Sequence, residues 1–254
     1  MRPDPHLLNA IRFLTVLPVP ATVDAQGPDW LARAMKYFPV VGAGIGAASA
    51  IVFLVAGEFW SPLISALLAI TASIALTSAL HEDGLADTAD SFGGGWTIEK
   101  RLAIMKDSCI GTYGALALCL GTALRIAALA ILPMWAGAAA LIAVHAAARA
   151  MPAFVMNRLP YSGNTSAMKV TYAEAPVRFE ESLFALGVIV LAAIPLALVS
   201  VASLFAGLLL GATLAALLAL WSRRLIGGYT GDVLGAVEQL FEIGFLLGVA
   251  ALIR

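Results

Sequence analysis

Apolar residues along this chain run in long blocks, not in the alternating or 3.6-residue patterns of water-facing strands and helices. A block needs about 20 residues to cross the hydrocarbon core of a bilayer. Reading for such blocks predicts seven spans: Phe38–Ala56, Pro62–Leu80, Gly111–Leu132, Trp135–Val155, Leu183–Ser200, Leu204–Trp221 and Leu234–Ile253. The fifth and sixth are nearly continuous, interrupted around Pro195 and Ser200–Ser203, and are read as two spans joined by a tight turn. Gly42, Gly44 and Gly46 in the first span suit close helix–helix approach in lipid, where small residues let backbones meet. The expected fold is all-α, a polytopic transmembrane helix bundle forming a single integral membrane domain over 1–254. Within it, 1–36 is a cytoplasmic or interfacial N-terminal segment and 38–253 the bundle. Leu7–Val19 is too short to span and contains Arg12, so it is expected to lie along the membrane surface. Two prolines and an acid within residues 1–6 are unlike a secretory signal.

The loops then orient the bundle. Arg2, Arg12, Arg33 and Lys36 precede the first span, and Lys100, Arg101 and Lys106 lie between the second and third. Arg149, Arg158, Lys169 and Arg178 fall around the fourth connection, and Arg223 and Arg224 between the sixth and seventh spans. The three alternate loops contain no Lys or Arg. Positive charge retained on the inner side therefore predicts a cytoplasmic N-terminus and an outer C-terminus. It also requires the Leu183–Trp221 stretch to be two spans. The acids follow the same geography, with Glu174, Glu180 and Glu181 in inner connections and Glu58 the one acid of the outer loops. Chemistry is thus expected on the cytoplasmic face.

Composition agrees. The chain of 254 residues is 61% hydrophobic and 12% charged, where a soluble domain carries about 25% charged residues. A net charge of −1 supplies no global field for nucleic acid, so none is expected as a partner. The lipid bilayer is the expected surrounding, and homo-oligomerisation stays open. Cys109 and Cys119 lie near opposite ends of one span with no C-x-x-C pair, which argues for two free packing residues. The five tryptophans fall near span ends, where aromatic belts place them.

The sharpest chemical feature is His81-Glu82-Asp83-Gly84-Leu85-Ala86-Asp87-Thr88-Ala89-Asp90, at the inner end of the second span. If the helix continues, Asp83, Asp87 and Asp90 recur at i, i+4 and i+7 on one face. Like charges this close repel, and proximity to lipid makes ionisation costlier still. Hard carboxylate oxygens without thiolates or an imidazole cluster favour Mg2+, or manganese, over zinc. A solvated acidic helix end fits poorly, because no Lys or Arg is interleaved. The candidate metal set is Glu82, Asp83, Asp87, Asp90, Asp107 and Asp232.

Gly93, Gly94 and Gly95 follow, freeing the backbone to fold over a ligand, and Thr97 is a helix start ahead of Lys100 and Arg101. Lys106-Asp107-Ser108-Cys109-Ile110-Gly111-Thr112-Tyr113-Gly114 feeds the third span, and Gly227-Gly228-Tyr229-Thr230-Gly231-Asp232 feeds the seventh. Gly-rich turns leading into helix N-termini present free N–H groups favourable for phosphate. Gly94, Gly95, Lys100, Arg101, Lys106, Gly228, Thr230 and Gly231 are therefore the candidate phosphate-binding residues. Metal-bridged phosphates beside a carboxylate base suit phosphoryl or nucleotidyl transfer.

At these stretches the chain resembles the cobalamin synthase family, the adenosylcobinamide-GDP ribazoletransferases. The residues that carry the resemblance are HEDGLADTADSFGGGW, IMKDSCIGTYGALAL and GGYTGDVLGA, with FLTVLPVP and YFPVVGAGIGA nearer the N-terminus. Cys109 stands where that family commonly has a basic residue and Tyr229 where it commonly has Gln. The resemblance implies a magnesium-requiring transferase of the last assembly step of vitamin B12 synthesis, multi-pass in the bacterial inner membrane. Its substrates would be adenosylcobinamide-GDP and α-ribazole or α-ribazole phosphate, with release of GMP. It further implies that Asp83, Asp87 and Asp90 hold metal and pyrophosphate, and that Asp107 and Asp232 complete the metal shell. Lys106 would neutralise the leaving phosphate, with Asp90 or Asp83 as the base.

Other classes fit less well. A secondary transporter would gather its polar groups near the midplane around broken helices, and Arg125, His145, Glu238 and Glu242 do lie within spans. Those residues are equally an interhelical ion-pair set, for example Arg125 with Glu242. A CDP-alcohol phosphotransferase would need Ala-Arg after Asp83-Gly84, which is missing. A purely structural role leaves the aspartate row unexplained.

Overall fold

The computed structural model describes residues 4–19, 29–163 and 177–253; Arg2, Lys169 and Glu174 lie outside them. Those residues form an all-helical bundle. A short amphipathic helix α1 (Pro5–Leu14) starts at Asp4, whose carboxylate accepts the His6 N–H and caps it. It packs on α2 (Trp30–Ala34), ahead of the first long helix α3 (Phe38–Gly57). The segment after α1 bonds back into the bundle, Val16 N–H donating to the Leu76 carbonyl at 2.9 Å.

The remaining long helices are α4 (Pro62–Thr77), α7 (Thr112–Ala130), α8 (Met134–Ala148), α10 (Phe179–Val199), α11 (Val201–Ile226) and α12 (Gly231–Leu252). Shorter pieces are α5 (Leu80–Gly94), α6 (Ile98–Ile104) and α9 (Met151–Met156). Among the described residues six helical stretches are long and apolar enough to cross a membrane, or seven if the bent pair α4–α5 counts as one span. The expected division between α10 and α11 is found at Ser200, whose hydroxyl accepts the Ser203 N–H and starts the next helix.

The second span departs from the sequence expectation. It does not run straight to Leu80 with the acids beyond it. At Ser78 (φ 52) and Ala79 (φ 57) the chain turns left-handed, and α5 leaves at 90° to α4. A 16-residue helix is only about 24 Å long, short of a hydrocarbon core of about 30 Å. The acidic helix is therefore the second limb of a sharply bent pair, a broken span or a re-entrant loop. It runs antiparallel to α7, since Glu82 reaches Arg125, Leu85 lies against Gly121, and Asp90 reaches Gly114 and Gly111. Most of its polar side chains, His81, Glu82, Thr88, Asp90 and Ser91, are buried against other helices, while Asp83 is exposed.

Small residues set the close crossings. A Cβ on Gly42 or Gly46 would collide with the α8 backbone at His145 or Leu141, whereas one on Gly44 would meet nothing within 4 Å. Two of the three glycines singled out thus serve helix packing. Between α11 and α12, a Cβ on Gly244 would sit 2.8 Å from Gly211 Cα, and one on Gly248 2.8 Å from Gly207 Cα. That packing makes α12 the central helix, buried along nearly its whole length, while α10 and α11 present Leu191, Leu198, Phe205 and Leu209 outward. Trp60, Trp135 and Trp221 are exposed near helix ends. Cys109 and Cys119 are both free, as expected, but both are exposed and so are not the packing residues the sequence suggested.

Candidate active site

The corner at Ser78–Ala79 aims α5 at the N-termini of α7 and α12, so three sequence-distant segments meet at one end of the bundle. Gly84 permits the closest approach: a Cβ there would lie 2.6 Å from the Asp232 carbonyl oxygen. Gly235 is the matching position on α12, its added Cβ 3.3 Å from His81 Cα. These contacts bring the carboxylate of Asp232 beside the α5 row. Asp87 is half-buried, and the charges acting on it are those of Asp83, Asp232, Asp90 and Asp107. Among the described residues none of these five acids forms an ion pair with Lys or Arg.

That is the fit expected of a hard divalent cation's site, which needs uncompensated carboxylates. Among the described residues no group of three or more His, Cys, Asp or Glu side chains is placed to hold a metal ion by itself. Magnesium is commonly held by only one or two carboxylates together with waters and substrate phosphates, so an open set of acids suits it better than a closed one.

The aspartates of α5 do not share one role. Asp90 is buried, and its carboxylate accepts the N–H groups of Gly111 at 2.7 Å and Gly114 at 2.8 Å. It therefore caps α7 from outside, filling with an internal anion the N-terminus that the sequence suggested for phosphate. A Cβ at either glycine would run into that carboxylate. Asp83 is exposed and Asp87 stands between them. Glu82 points the other way. It is 7% exposed and accepts from Arg125 at 3.0 Å and Gln239 at 3.2 Å, so it leaves the metal set and joins the interior.

That interior is a continuous ionic network across α5, α7, α8 and α12. Arg125 also donates to Glu242 at 2.9 Å, the pairing expected from sequence. Arg149 pairs with Glu242 and lies 3.4 Å from Glu238, while His145 Nδ1 is 3.0 Å from Glu242. His81 Nε2 is 3.0 Å from Glu238 and ties the start of α5 to α12. Both i, i+4 pairs, Glu238–Glu242 and His145–Arg149, thus point into one cluster. The inner charges pair with one another, which favours a structural role for them over a midplane transport site, although Glu82 Oε2, Arg125 Nε, His145 Nε2 and Glu238 Oε2 are buried without a hydrogen-bond partner among the described residues.

The other predicted residues divide by exposure. Lys100, Lys106, Asp107 and Gly94 are exposed near the acids' end of the bundle. Asp107 accepts the Cys109 N–H at 3.1 Å; its hydrogen bond with the Cys109 thiol first, and its charge second, push that thiol's pKa up. Arg101 is drawn away from the acids. It donates to the Leu225 carbonyl at 3.0 Å, capping α11, and lies against Gly95. Thr97 starts α6 by accepting the Lys100 N–H, as expected. Thr230 caps α12 by accepting the Val233 N–H, with Gly231 at the first helical position. Gly228 accepts the Ser222 hydroxyl at 2.5 Å and packs on the Pro160 carbonyl, so it serves the turn. That turn pairs with a segment the sequence left unremarked: Tyr229 N–H donates to Pro160 at 3.0 Å and Ser162 N–H to Tyr229 at 2.8 Å. Tyr161, ring edge-on to Tyr229, is thereby set near Asp232. Burial first, and Asp232's charge second, push its phenol pKa up. No periodicity or motif marks Tyr161, because its position depends on pairing across some 70 residues of sequence.

The family model described as cobalamin-5-phosphate synthase matches residues 6–250. A protein of Leptothrix cholodnii named adenosylcobinamide-GDP ribazoletransferase is 40% identical over 244 residues, covering 94% of this chain and 92% of its own. Proteins of the same name from Azorhizobium caulinodans (44% over 252 residues, 94% and 93% covered) and Shewanella piezotolerans (39% over 240 residues, 93% and 91%) are similar to it. No solved structure matches the chain. With nearly its full length matched, and the aspartate helix and the two glycine-rich turns brought together at one end of the bundle, the chain belongs to the cobalamin-5-phosphate synthase family.

Proposed function

We propose that this chain joins adenosylcobinamide-GDP to α-ribazole or α-ribazole phosphate, with release of GMP, at the carboxylate cluster where α5, α7 and α12 meet. The observation that carries the reading is a set of acids, Asp83, Asp87, Asp107 and Asp232, with no ion pair to a Lys or Arg among the described residues. Asp87 and Asp232 would hold Mg2+, with Asp107 beside them on the loop. A bound magnesium ion would offset charge on the pyrophosphate and on the GMP that departs.

The chain's own groups do the rest. Asp83, exposed and not committed to another partner, accepts the proton of the ribose hydroxyl as its oxygen bonds to the cobinamide-side phosphorus. The bond from that phosphorus to the bridging oxygen breaks, and GMP leaves with the electron pair. Lys106 and Lys100 meet the charge developing on GMP. Asp90 touches no reacting atom in this scheme. It is a positioning residue that holds the start of α7 against α5. The Lys and Arg pattern of the loops supports a multi-pass bacterial inner-membrane protein with the N-terminus and this site on the cytoplasmic side.

Magnesium-dependent GMP release by purified protein, given adenosylcobinamide-GDP and α-ribazole, tests the reading. Asp83→Asn should lose at least about 100-fold in kcat while still binding adenosylcobinamide-GDP. GMP release by that variant at near-normal rates would remove Asp83 as the base.

A further inference from the structure

The short helix α9 faces α10 across one groove and α11 across another. The first groove, about 370 Å³, lies between α9, the start of α10 and the turn Met35–Tyr37 that precedes α3. Leu186 and Ile189 of α10 form its apolar side, and Lys36, Asn157 and Arg158 its polar side. The second, about 400 Å³, runs along the C-terminal half of α11 past Ala212, Ala216 and Leu220. Phe154 and Arg158 line both. These walls offer surface to a ligand: Phe154 is 62% exposed, and Leu186 and Leu220 are 54% exposed. Neither Lys36 nor Arg158 forms an ion pair among the described residues. Arg158 lies over the Phe154 ring, 5.9 Å from its centroid, and Lys36 over the Tyr37 ring at 5.0 Å. The neighbouring acids are engaged elsewhere. Glu181, in the first groove, is held by Arg33 at 2.6 Å. Asp4, on which the charge of Lys36 acts, accepts from Tyr37 at 2.7 Å and from the His6 N–H at 2.8 Å.

We propose that one anionic phospholipid of the cytoplasmic leaflet straddles α9, with its phosphate between Lys36 and Arg158 and one acyl chain in each groove. Arg158, common to both grooves, stands where two chains joined at one headgroup must meet. Its planar guanidinium matches phosphate oxygens in pairs, and Lys36 adds a point charge. Lys36 precedes the first long apolar helix and Arg158 follows α9, at the end of the bundle that the loop charges assign to the cytoplasm. The grooves supply no hydrophobic driving force in a bilayer, whose own tails are as apolar as these walls. They set the shape of the occupant, and charge selects its head. Each Lys or Arg facing an anionic lipid is worth about 5-fold in affinity. Free phosphate would leave both grooves empty, and a nucleotide would set its polar edges against Leu186, Ile189 and Leu220. None of the residues lining the two grooves takes part in the proposed transfer at the carboxylate cluster. A lipid seated here joins α9 to both α10 and α11, so it stabilises the folded chain.

Native mass spectrometry of the full-length protein, stripped of co-purified lipid in an uncharged detergent, tests this. Phosphatidylglycerol and phosphatidylcholine with identical chains are titrated in turn, a comparison that needs no variant. One phosphatidylglycerol per chain should bind saturably, about 25-fold tighter than phosphatidylcholine, and should raise the unfolding midpoint. Lys36→Gln and Arg158→Gln should each weaken phosphatidylglycerol about 5-fold, and together about 25-fold, with phosphatidylcholine unchanged. Ala216→Trp, which fills the second groove, should reduce phosphatidylglycerol to the affinity of its single-chain lyso form, whose own binding stays within about twofold. Equal affinity for the two lipids would overturn the proposal, as would phosphatidylglycerol binding that survives the double substitution. Displacement of the lipid by inorganic phosphate would make this a plain anion site, and displacement by adenosylcobinamide-GDP a substrate site; either result overturns it. So would a chain that dimerises as lipid is removed and then no longer takes up phosphatidylglycerol, which would assign the grooves to a second copy.

Discussion

Two aspartates three residues apart on α5 should respond to the same substitution with opposite sign. Asp90 accepts two backbone N–H groups, from Gly111 and Gly114, in a buried setting. Charge-assisted hydrogen bonds contribute about 1.5–3 kcal/mol each. Asn in its place keeps one acceptor oxygen and turns an NH2 group toward the second N–H. It also removes a charge at a helix N-terminus worth about 0.3–1 kcal/mol. Asp90→Asn should therefore cost about 2–3 kcal/mol, or roughly 5–10 °C in unfolding midpoint for a chain of this size. Asp87 is surrounded by Asp83, Asp90, Asp107 and Asp232. Taking each like-charged neighbour at about 0.2–0.5 kcal/mol, Asp87→Asn should stabilise the metal-free protein by about 1–2 kcal/mol. Thermal unfolding in detergent at pH 8 with EDTA reads both. Adding magnesium should raise the wild-type midpoint, because a ligand that binds only the folded state stabilises it, and should raise that of Asp87→Asn much less. An Asp90→Asn protein as stable as wild type would refute the capping role. An Asp87→Asn protein less stable than wild type in EDTA would refute the uncompensated cluster.

Other consequences follow from particular contacts. Glu242→Gln leaves Arg125 and Arg149 without their shared carboxylate in the bundle interior and should cost about 3–5 kcal/mol, read from the unfolding midpoint. Gly84→Val puts side-chain atoms where the Asp232 carbonyl lies, prising α5 from α12; turnover should fall about 100-fold with helix content by circular dichroism unchanged. Ala79→Gly relieves a non-glycine left-handed residue at the corner and should stabilise by about 1 kcal/mol in the same unfolding assay. Cys109 is exposed, yet Asp107 keeps its thiol pKa high; Asp107→Asn should lower that pKa and speed alkylation several-fold at pH 8, where more thiolate then forms.

The parts of the molecule legible in sequence are those governed by local chemistry. Span positions follow from apolar length, since lipid tolerates nothing else, and the helices fall close to the blocks read from the sequence. Thr97 announced a helix start because a cap is a three-residue matter. Gly42 and Gly46, and the pairing of Arg125 with Glu242, were legible because a bundle in lipid must bring small residues together and must neutralise buried charge. The aspartate row was visible because its spacing lies within one helix.

Tertiary structure decided what each of those groups faces. Asp83, Asp87 and Asp90 share a spacing, but only the approach of α7 commits Asp90 to backbone amides and leaves Asp83 exposed. Glu82 sits beside Asp83 in sequence yet turns into the ionic interior, because adjacent positions on a helix point about 100° apart. The 90° corner came from two residues without glycine, a conformation local propensity argues against, held by the packing on both sides. Tyr161's place beside Asp232 and the two grooves beside α9 arise from segments far apart in the chain. A linear pattern records which residues dislike water, whereas their partners are set by the relative approach of helices, which no single helix encodes.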